Sequence, residues 1–153
     1  MILTVTHHRT INYLRISVTD RCNLRCMYCM PPQGVPKRDH TEILRYEEIE
    51  TIVRVAVQLG IHTFRLTGGE PLVRPGIVDL VEMLSKVPGV DELTMTTNGI
   101  LLAQYAQALA DAGLQRVNVS LDTFQPERFT RITRCGELED TLAGIRAARA
   151  AGL

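Results

Sequence analysis

His62-Thr63-Phe64-Arg65-Leu66-Thr67-Gly68-Gly69-Glu70-Pro71-Leu72-Val73-Arg74-Pro75, running on into Ile77, Leu80, Val81 and Leu84, decides the fold. His62 to Thr67 is a short apolar-rich run that stops at two glycines, the pattern of a strand. Pro75 suits the opening of a helix, because its missing N–H would be unpaired there anyway. Ile77, Leu80, Val81 and Leu84 follow at the spacing of one helical face. One strand and one helix make a β-α unit.

The same unit recurs on both sides. Upstream, Tyr13 to Val18 alternates at period two and reads as a strand. Thr19 to Arg45 carries Pro31, Pro32, Gly34 and Pro36 and reads as a long irregular loop. A helix follows, with Glu47 and Glu48 in its first turn, where the dipole favours anions. Ile49, Ile52, Val53 and Ala56 form its apolar stripe, and Gly60 stops it. Downstream, Pro88-Gly89 breaks the chain, Glu92 to Thr97 is a strand, and Asn98-Gly99 turns. Leu102, Ala106 and Leu109 line a helix that ends near Gly113. Arg116 to Leu121 is the fourth strand. Phe124 to Ile132 contains a short helix. Leu138, Leu142, Ile145 and Ala148 mark a longer one, with Gly152 at its end. Strands joined by helical crossovers imply a parallel sheet covered by helices, hence an α/β fold that curls towards a barrel or opens as a sheet.

Composition narrows the class. The 153 residues fit one domain. Lys+Arg and Asp+Glu are 17 each, so bulk charge argues against a nucleic-acid binder. Aromatics are 5% with no Trp, so the core is aliphatic. No apolar run reaches the roughly 20 residues of a membrane helix, and the first residues do not read as a secretory signal. The expectation is a cytoplasmic protein with no nucleic-acid or membrane partner. Residues 1–12 read as a leader and 13–153 as the folded part. The sequence stops after a helix where a fifth strand is expected, so it reads as part of a longer protein.

Cys22, Cys26 and Cys29 form C-x3-C-x2-C within that long loop. The spacing lets one loop aim three sulfurs at one point, and soft thiolates suit zinc or an iron–sulfur cluster. Structural zinc usually takes four protein ligands in two pairs. Cys135 stands alone, and His7, His8, His40 and His62 show no paired spacing. Three ligands on a [4Fe–4S] cluster leave one iron free for another molecule. From the cysteines alone both metals stay open. Cys135 reads as an incidental thiol, and His7 and His8 as leader residues.

The cysteines with Tyr28 between the second and third, together with Gly68-Gly69-Glu70-Pro71, resemble the radical S-adenosylmethionine (SAM) enzymes. The resemblance narrows over Leu14 to Cys26, Tyr28 to Pro31, Arg65 to Leu72, Thr96 to Gly99 and Arg116 to Asp122. These stretches look like the GTP 3′,8-cyclases of molybdenum-cofactor biosynthesis, from about Arg9 to Leu153, over roughly the first half of those enzymes. The resemblance implies a partial (β/α) TIM-like barrel of the radical SAM type, of which this chain holds about the first four β-α units. It implies a [4Fe–4S] cluster on Cys22, Cys26 and Cys29, whose open iron binds SAM. Reduction of SAM then yields an adenosyl radical that abstracts hydrogen from C3′ of GTP, and the ring closes on C8.

Carried over by position, Tyr28, Gly69 and Ser120 match SAM-contacting residues, and Arg15, Arg65 and Thr96 match GTP-contacting ones. No side chain is assigned as catalytic, since the cofactor supplies the chemistry. Independently, a guanidinium grips phosphate bidentately, and an arginine on a strand needs a partner if it points inward. The bland alternative is that Arg15 and Arg65 face out or pair with carboxylates. A double glycine at a strand end lets backbone approach a ligand closely. Partners implied are GTP, an electron donor, the enzyme that takes the product onward (cyclic pyranopterin monophosphate synthase) and a homodimer. The family's second cluster, held by cysteines in a C-terminal half, is absent from this sequence, as is its terminal double glycine, so turnover by this chain alone is not expected. Two other readings compete: another radical SAM enzyme such as a peptide maturase, and a non-catalytic metal-binding module. Ile16 stands where the related LSVTDRCN string has Leu.

Overall fold

The computed structural model describes residues 11–36 and 39–153. Most of the expected leader, with His7 and His8, lies outside the described residues. Four strands pair in parallel in the order β1-β2-β3-β4: β1 is Tyr13–Ser17, β2 Thr63–Thr67, β3 Glu92–Thr97 and β4 Arg116–Val119. The crossovers are α1 (Tyr46–Gln58), α2 (Ile77–Ser85), α3 (Leu102–Asp111), and the pair α4 (Pro126–Thr133) and α5 (Leu138–Ala150) follows β4. This is the α/β arrangement expected, four β-α units of a partial barrel. No helix of the described residues is long and apolar enough to cross a membrane.

Period-two alternation sorts each strand into two faces. Ile16, Phe64, Leu66, Leu93 and Met95 are buried together with Ile49, Val53, Leu80, Leu84, Leu102 and Leu109 from the helices. Each such side chain contributes about 1.5–3 kcal/mol over leaving it in water. The opposite face is polar. Arg15 pairs in register with Arg65, and Arg65 with Thr94; Thr96 pairs with Asn118. Arg15 and Asn118 are exposed, and Arg65 and Thr96 half-buried.

Three local readings change. Ile52 is 41% exposed, so the buried stripe of α1 is Ile49, Val53 and Ala56. Pro75 lies ahead of α2; the residue that enters the helix is Gly76, at φ +74. In α5 the buried face is Leu138, Thr141, Gly144 and Ala148, rotated from the stripe through Leu142 and Ile145. The reason is close packing: a Cβ on Gly144 would sit 2.2 Å from the Gly99 carbonyl oxygen, so α5 presents its smallest side chains to the turn after β3.

Candidate functional site

Because all four strands run parallel, their C-terminal ends share one edge. The cysteine loop leaves β1 there, Gly68-Gly69-Glu70 leaves β2, Asn98 leaves β3, and Ser120 and Asp122 follow β4. Such edges are where α/β barrels carry their chemistry.

The loop is anchored from both sides. Gly69 N–H donates to Thr19 O and Glu70 N–H to Arg21 O, both at 2.8 Å. On the other flank, Arg25 N–H donates to Thr133 O (3.0 Å) and Met27 N–H to Ile132 O (2.9 Å), which ties the loop to the end of α4. Arg134, at φ +62, turns its guanidinium back to the carbonyls of Arg25 and Met30. The double glycine also makes room for the chain itself. A Cβ on Gly68 would lie 2.5 Å from Thr19 O, and one on Gly69 2.3 Å from Arg21 O. The backbone that approaches is the chain's own cysteine loop.

Glu70 is the buried strut of this edge, 1% exposed. Its carboxylate accepts from Leu72 N–H (3.1 Å), Thr97 Oγ1–H (2.7 Å) and Asn98 N–H (2.7 Å). Burial pushes its pKa up, and those three donors oppose the shift. Asn98 carries the connection onward, donating from Nδ2 to Asn23 Oδ1 at 2.7 Å, beside Cys22. Tyr28, 64% exposed, donates its hydroxyl to Asp122 Oδ2 at 2.7 Å.

Cys22 and Cys26 are half-buried and Cys29 is exposed. Burial raises the Cys22 thiol, with the charge of Glu70 adding and the Leu24 N–H and Asn98 amide opposing. Burial also raises Cys26, and the neighbouring Cys29 and Cys22 add to it. Cys29 and Cys22 both lie near enough to bear on the Cys26 thiol. Among the described residues, however, no three His, Cys, Asp or Glu side chains are gathered into a finished metal cage. The donor set still fits an iron–sulfur cluster: three soft ligands on one anchored loop, with no carboxylate or imidazole interleaved. Cys135, which stands alone in the sequence, lies beside the cysteine loop in the fold. Its Sγ lies 3.5 Å from Asn23 O and 3.7 Å from Thr133 O.

The polar sheet face carries the arginines. Arg65 donates from Nε to Thr94 Oγ1 at 3.1 Å and lies 5.6 Å from the centre of the Tyr13 ring. Arg116, by contrast, pairs with Glu92 at 2.7 Å. Among the described residues neither Arg15 nor Arg65 pairs with a carboxylate; Arg15 is exposed and Arg65 half-buried. Ser120 lies just past β4, its N–H donating to Thr97 O at 2.9 Å. A cleft of about 720 Å³ opens beside Thr19–Arg21, α1 and Val73–Pro75; its lining holds neither the cysteines nor Arg15 and Arg65. A smaller one, about 160 Å³, is lined by Cys22, Arg21, Arg25 and Met30.

The sequence profile of the Radical SAM superfamily matches residues 16–153. The chain belongs to the radical SAM superfamily. Curated relatives of this radical SAM chain include a GTP 3′,8-cyclase of Peptoclostridium acidaminophilum, 60% identical over 145 residues, and one of Petrotoga mobilis at 58%. Each match covers 95% of this chain and 45% of the relative, so the chain spans just under half the length of the curated relatives it matches. Among solved structures, methylornithine synthase superposes with a TM-score of 0.75 at 19% identity, over 94% of this chain and 43% of that one. Streptococcus suis SuiB bound to S-adenosylmethionine gives 0.70 at 18%, over 93% of this chain and 30% of that one. At such identities the likeness is one of fold.

Sequence reading missed four residues of this edge. Glu70 was visible in its motif without a role, Asn98 read as a turn, and Asp122 had only its place after β4. Arg134 carries no local signal, because its reach of more than a hundred residues exists only in the fold.

Proposed function

We propose that this radical SAM chain is the part of a GTP 3′,8-cyclase that binds the cluster and SAM and supplies one wall of the GTP site, in the first step of molybdenum-cofactor biosynthesis. The observation that carries the reading is 60% identity over 145 residues to a curated GTP 3′,8-cyclase. In this reading Cys22, Cys26 and Cys29 hold a [4Fe–4S] cluster, which when bound supplies the electron that cleaves SAM. Everything else the chain does is binding and orientation. Tyr28, Gly69 and Ser120 stand at the strand ends around the cysteine loop and contact SAM. Thr96, on the polar face of β3, contacts GTP.

Arg15 and Arg65, in register on adjacent strands, face the same side of the sheet. Two guanidiniums free of carboxylates are suited to the triphosphate of GTP. Closing a bond between ribose and base demands that both be held in close contact, which is what a rigid sheet face provides. The electron comes from an external low-potential donor, and the product passes to cyclic pyranopterin monophosphate synthase. The reducing cytoplasm, where thiols stay free, is the compartment in which the site can be loaded.

The test uses the chain reconstituted anaerobically with iron and sulfide. With dithionite it should cleave SAM to 5′-deoxyadenosine, and it should bind GTP. Arg65→Ala should weaken GTP binding about tenfold or more, the loss of a charge-assisted contact, and leave SAM cleavage intact. Binding of a peptide in place of GTP, or GTP affinity unchanged in Arg65→Ala, would contradict the reading.

A further inference from the structure

The cysteine sulfurs do not have equal surroundings. Leu24 N–H points at Cys22 Sγ from 3.4 Å, and Asn98 Nδ2 reaches the same sulfur at 3.9 Å, within the longer range of N–H···S contacts. Asn98 lies 76 residues downstream, at the end of another strand, and every polar group of it is engaged. Its backbone N–H donates to the buried carboxylate of Glu70 at 2.7 Å. Its backbone O accepts from Thr141 Oγ1–H at 3.2 Å. Its Oδ1 accepts from Ile100 N–H at 3.0 Å. Ile100 N–H can only donate, so it fixes Oδ1 on its own side and sends the amide nitrogen towards Asn23 and Cys22. One Nδ2 proton goes to Asn23 Oδ1 at 2.7 Å, which leaves the other for the sulfur.

We propose that Asn98 is a positioning residue whose clamped side-chain amide, together with Leu24 N–H, hydrogen-bonds the Cys22 thiolate and raises the reduction potential of the cluster that Cys22 helps to hold. The inference rests on the cluster proposed above for Cys22, Cys26 and Cys29. Its physical basis is charge. One electron from a low-potential donor adds one negative charge to the cluster and its thiolates, with no proton transferred. An N–H aimed at a ligand sulfur stabilises the state with more negative charge, so it eases reduction. Asn98 thus stands between the buried carboxylate of Glu70, on its backbone N–H, and, on its side-chain amide, a sulfur that must accept further negative charge. Such a donor also explains why the turn after β3 is clamped by three separate elements: β2 through Glu70, α5 through Thr141 and the cysteine loop through Asn23.

The experiment is a potentiometric titration of the anaerobically reconstituted chain, with dithionite as the one-electron donor and the paramagnetic signal of the reduced cluster as readout. Asn98→Ala should shift the midpoint negative by about tenfold in the reduction equilibrium, equivalent to 59 mV for one electron. Asn98→Asp, of the same shape but with an acceptor and a charge in place of the donor, should shift it further. If Asn98→Ala does not fold, Asn23→Ala takes its place; it removes the second anchor of the amide and should shift the midpoint in the same direction by less. A wild-type chain that takes up no cluster overturns the proposed assignment of a cluster to Cys22, Cys26 and Cys29 and this inference with it. A wild-type cluster with variants that load equally and titrate at the same midpoint, or at a more positive one, overturns the inference alone.

Discussion

The hydroxyl of Tyr28 donates to the carboxylate of Asp122 across 94 residues of sequence, at 2.7 Å. It joins the cysteine loop after β1 to the segment after β4, the two outer strands of the sheet. The carboxylate holds the phenol proton well above its ordinary value near 10, with burial adding to the effect.

Removing that acceptor should release both the proton and the loop. In Asp122→Ala the tyrosine that resists ionisation in the wild type should titrate in the ordinary range, read by ultraviolet absorbance on the metal-free chain. Amide exchange at Cys29 and Met30 should quicken, because their N–H groups lie in the turn next to Tyr28. Superimposable titration curves for the two proteins would show that the bond does not form in solution.

Gly69→Ala should disturb the cysteine loop directly. Its backbone needs no left-handed conformation, so the cost is the clash alone: a Cβ 2.3 Å from the Arg21 carbonyl. Overpacking against backbone costs about 1–3 kcal/mol, with a melting temperature lower by about 2–4 °C per kcal/mol for a chain of this size. Alkylation of Cys26 and Cys29 should quicken in parallel. Gly60→Ala, at φ +89 with nothing within 4 Å, is the contrast. It should lower stability through backbone strain and leave thiol reactivity unchanged.

Glu70→Gln should cost about 1–3 kcal/mol, since the amide puts a donor in place of one carboxylate oxygen, opposite either Asn98 N–H or the Leu72 N–H and Thr97 Oγ1–H pair. The pH dependence has a definite sign. Burial raises the folded-state pKa of Glu70, so the folded chain binds more protons than the unfolded one between the ordinary carboxylate pKa and the raised value. The contribution of Glu70 is fully present below the ordinary value and falls as pH rises through the raised one. The stability difference between wild type and Glu70→Gln, from denaturant melts, should be larger at about pH 5 than at about pH 7. A difference that grows with rising pH would contradict this account of Glu70.

The alternation of Tyr13 to Ser17 and the apolar faces of α2 and α3 were legible because both arise from burial that repeats at a fixed period. The place of the site was legible for the same reason, since parallel strands bring their ends together. The face of α5 was not, because it is set by how closely Gly144 approaches Gly99, and shape at that scale leaves no hydropathy signal. Gly68-Gly69 was legible as a close approach, but that the chain's own cysteine loop is packed against it was not. Glu70, Asn98 and Arg134 act through bonds between segments distant in sequence. Their residue types are compatible with turns or solvent, and only the fold gives them partners.

The central claim is that Cys22, Cys26 and Cys29 together hold one [4Fe–4S] cluster. Anaerobic reconstitution followed by iron and sulfide analysis and optical spectra measures it directly. The wild-type chain should turn brown and carry iron and sulfide in equal amounts, and Cys26→Ser should lose the colour while keeping the fold. A colourless wild-type chain that carries zinc, or a Cys26→Ser chain with an unchanged cluster spectrum, would contradict the account.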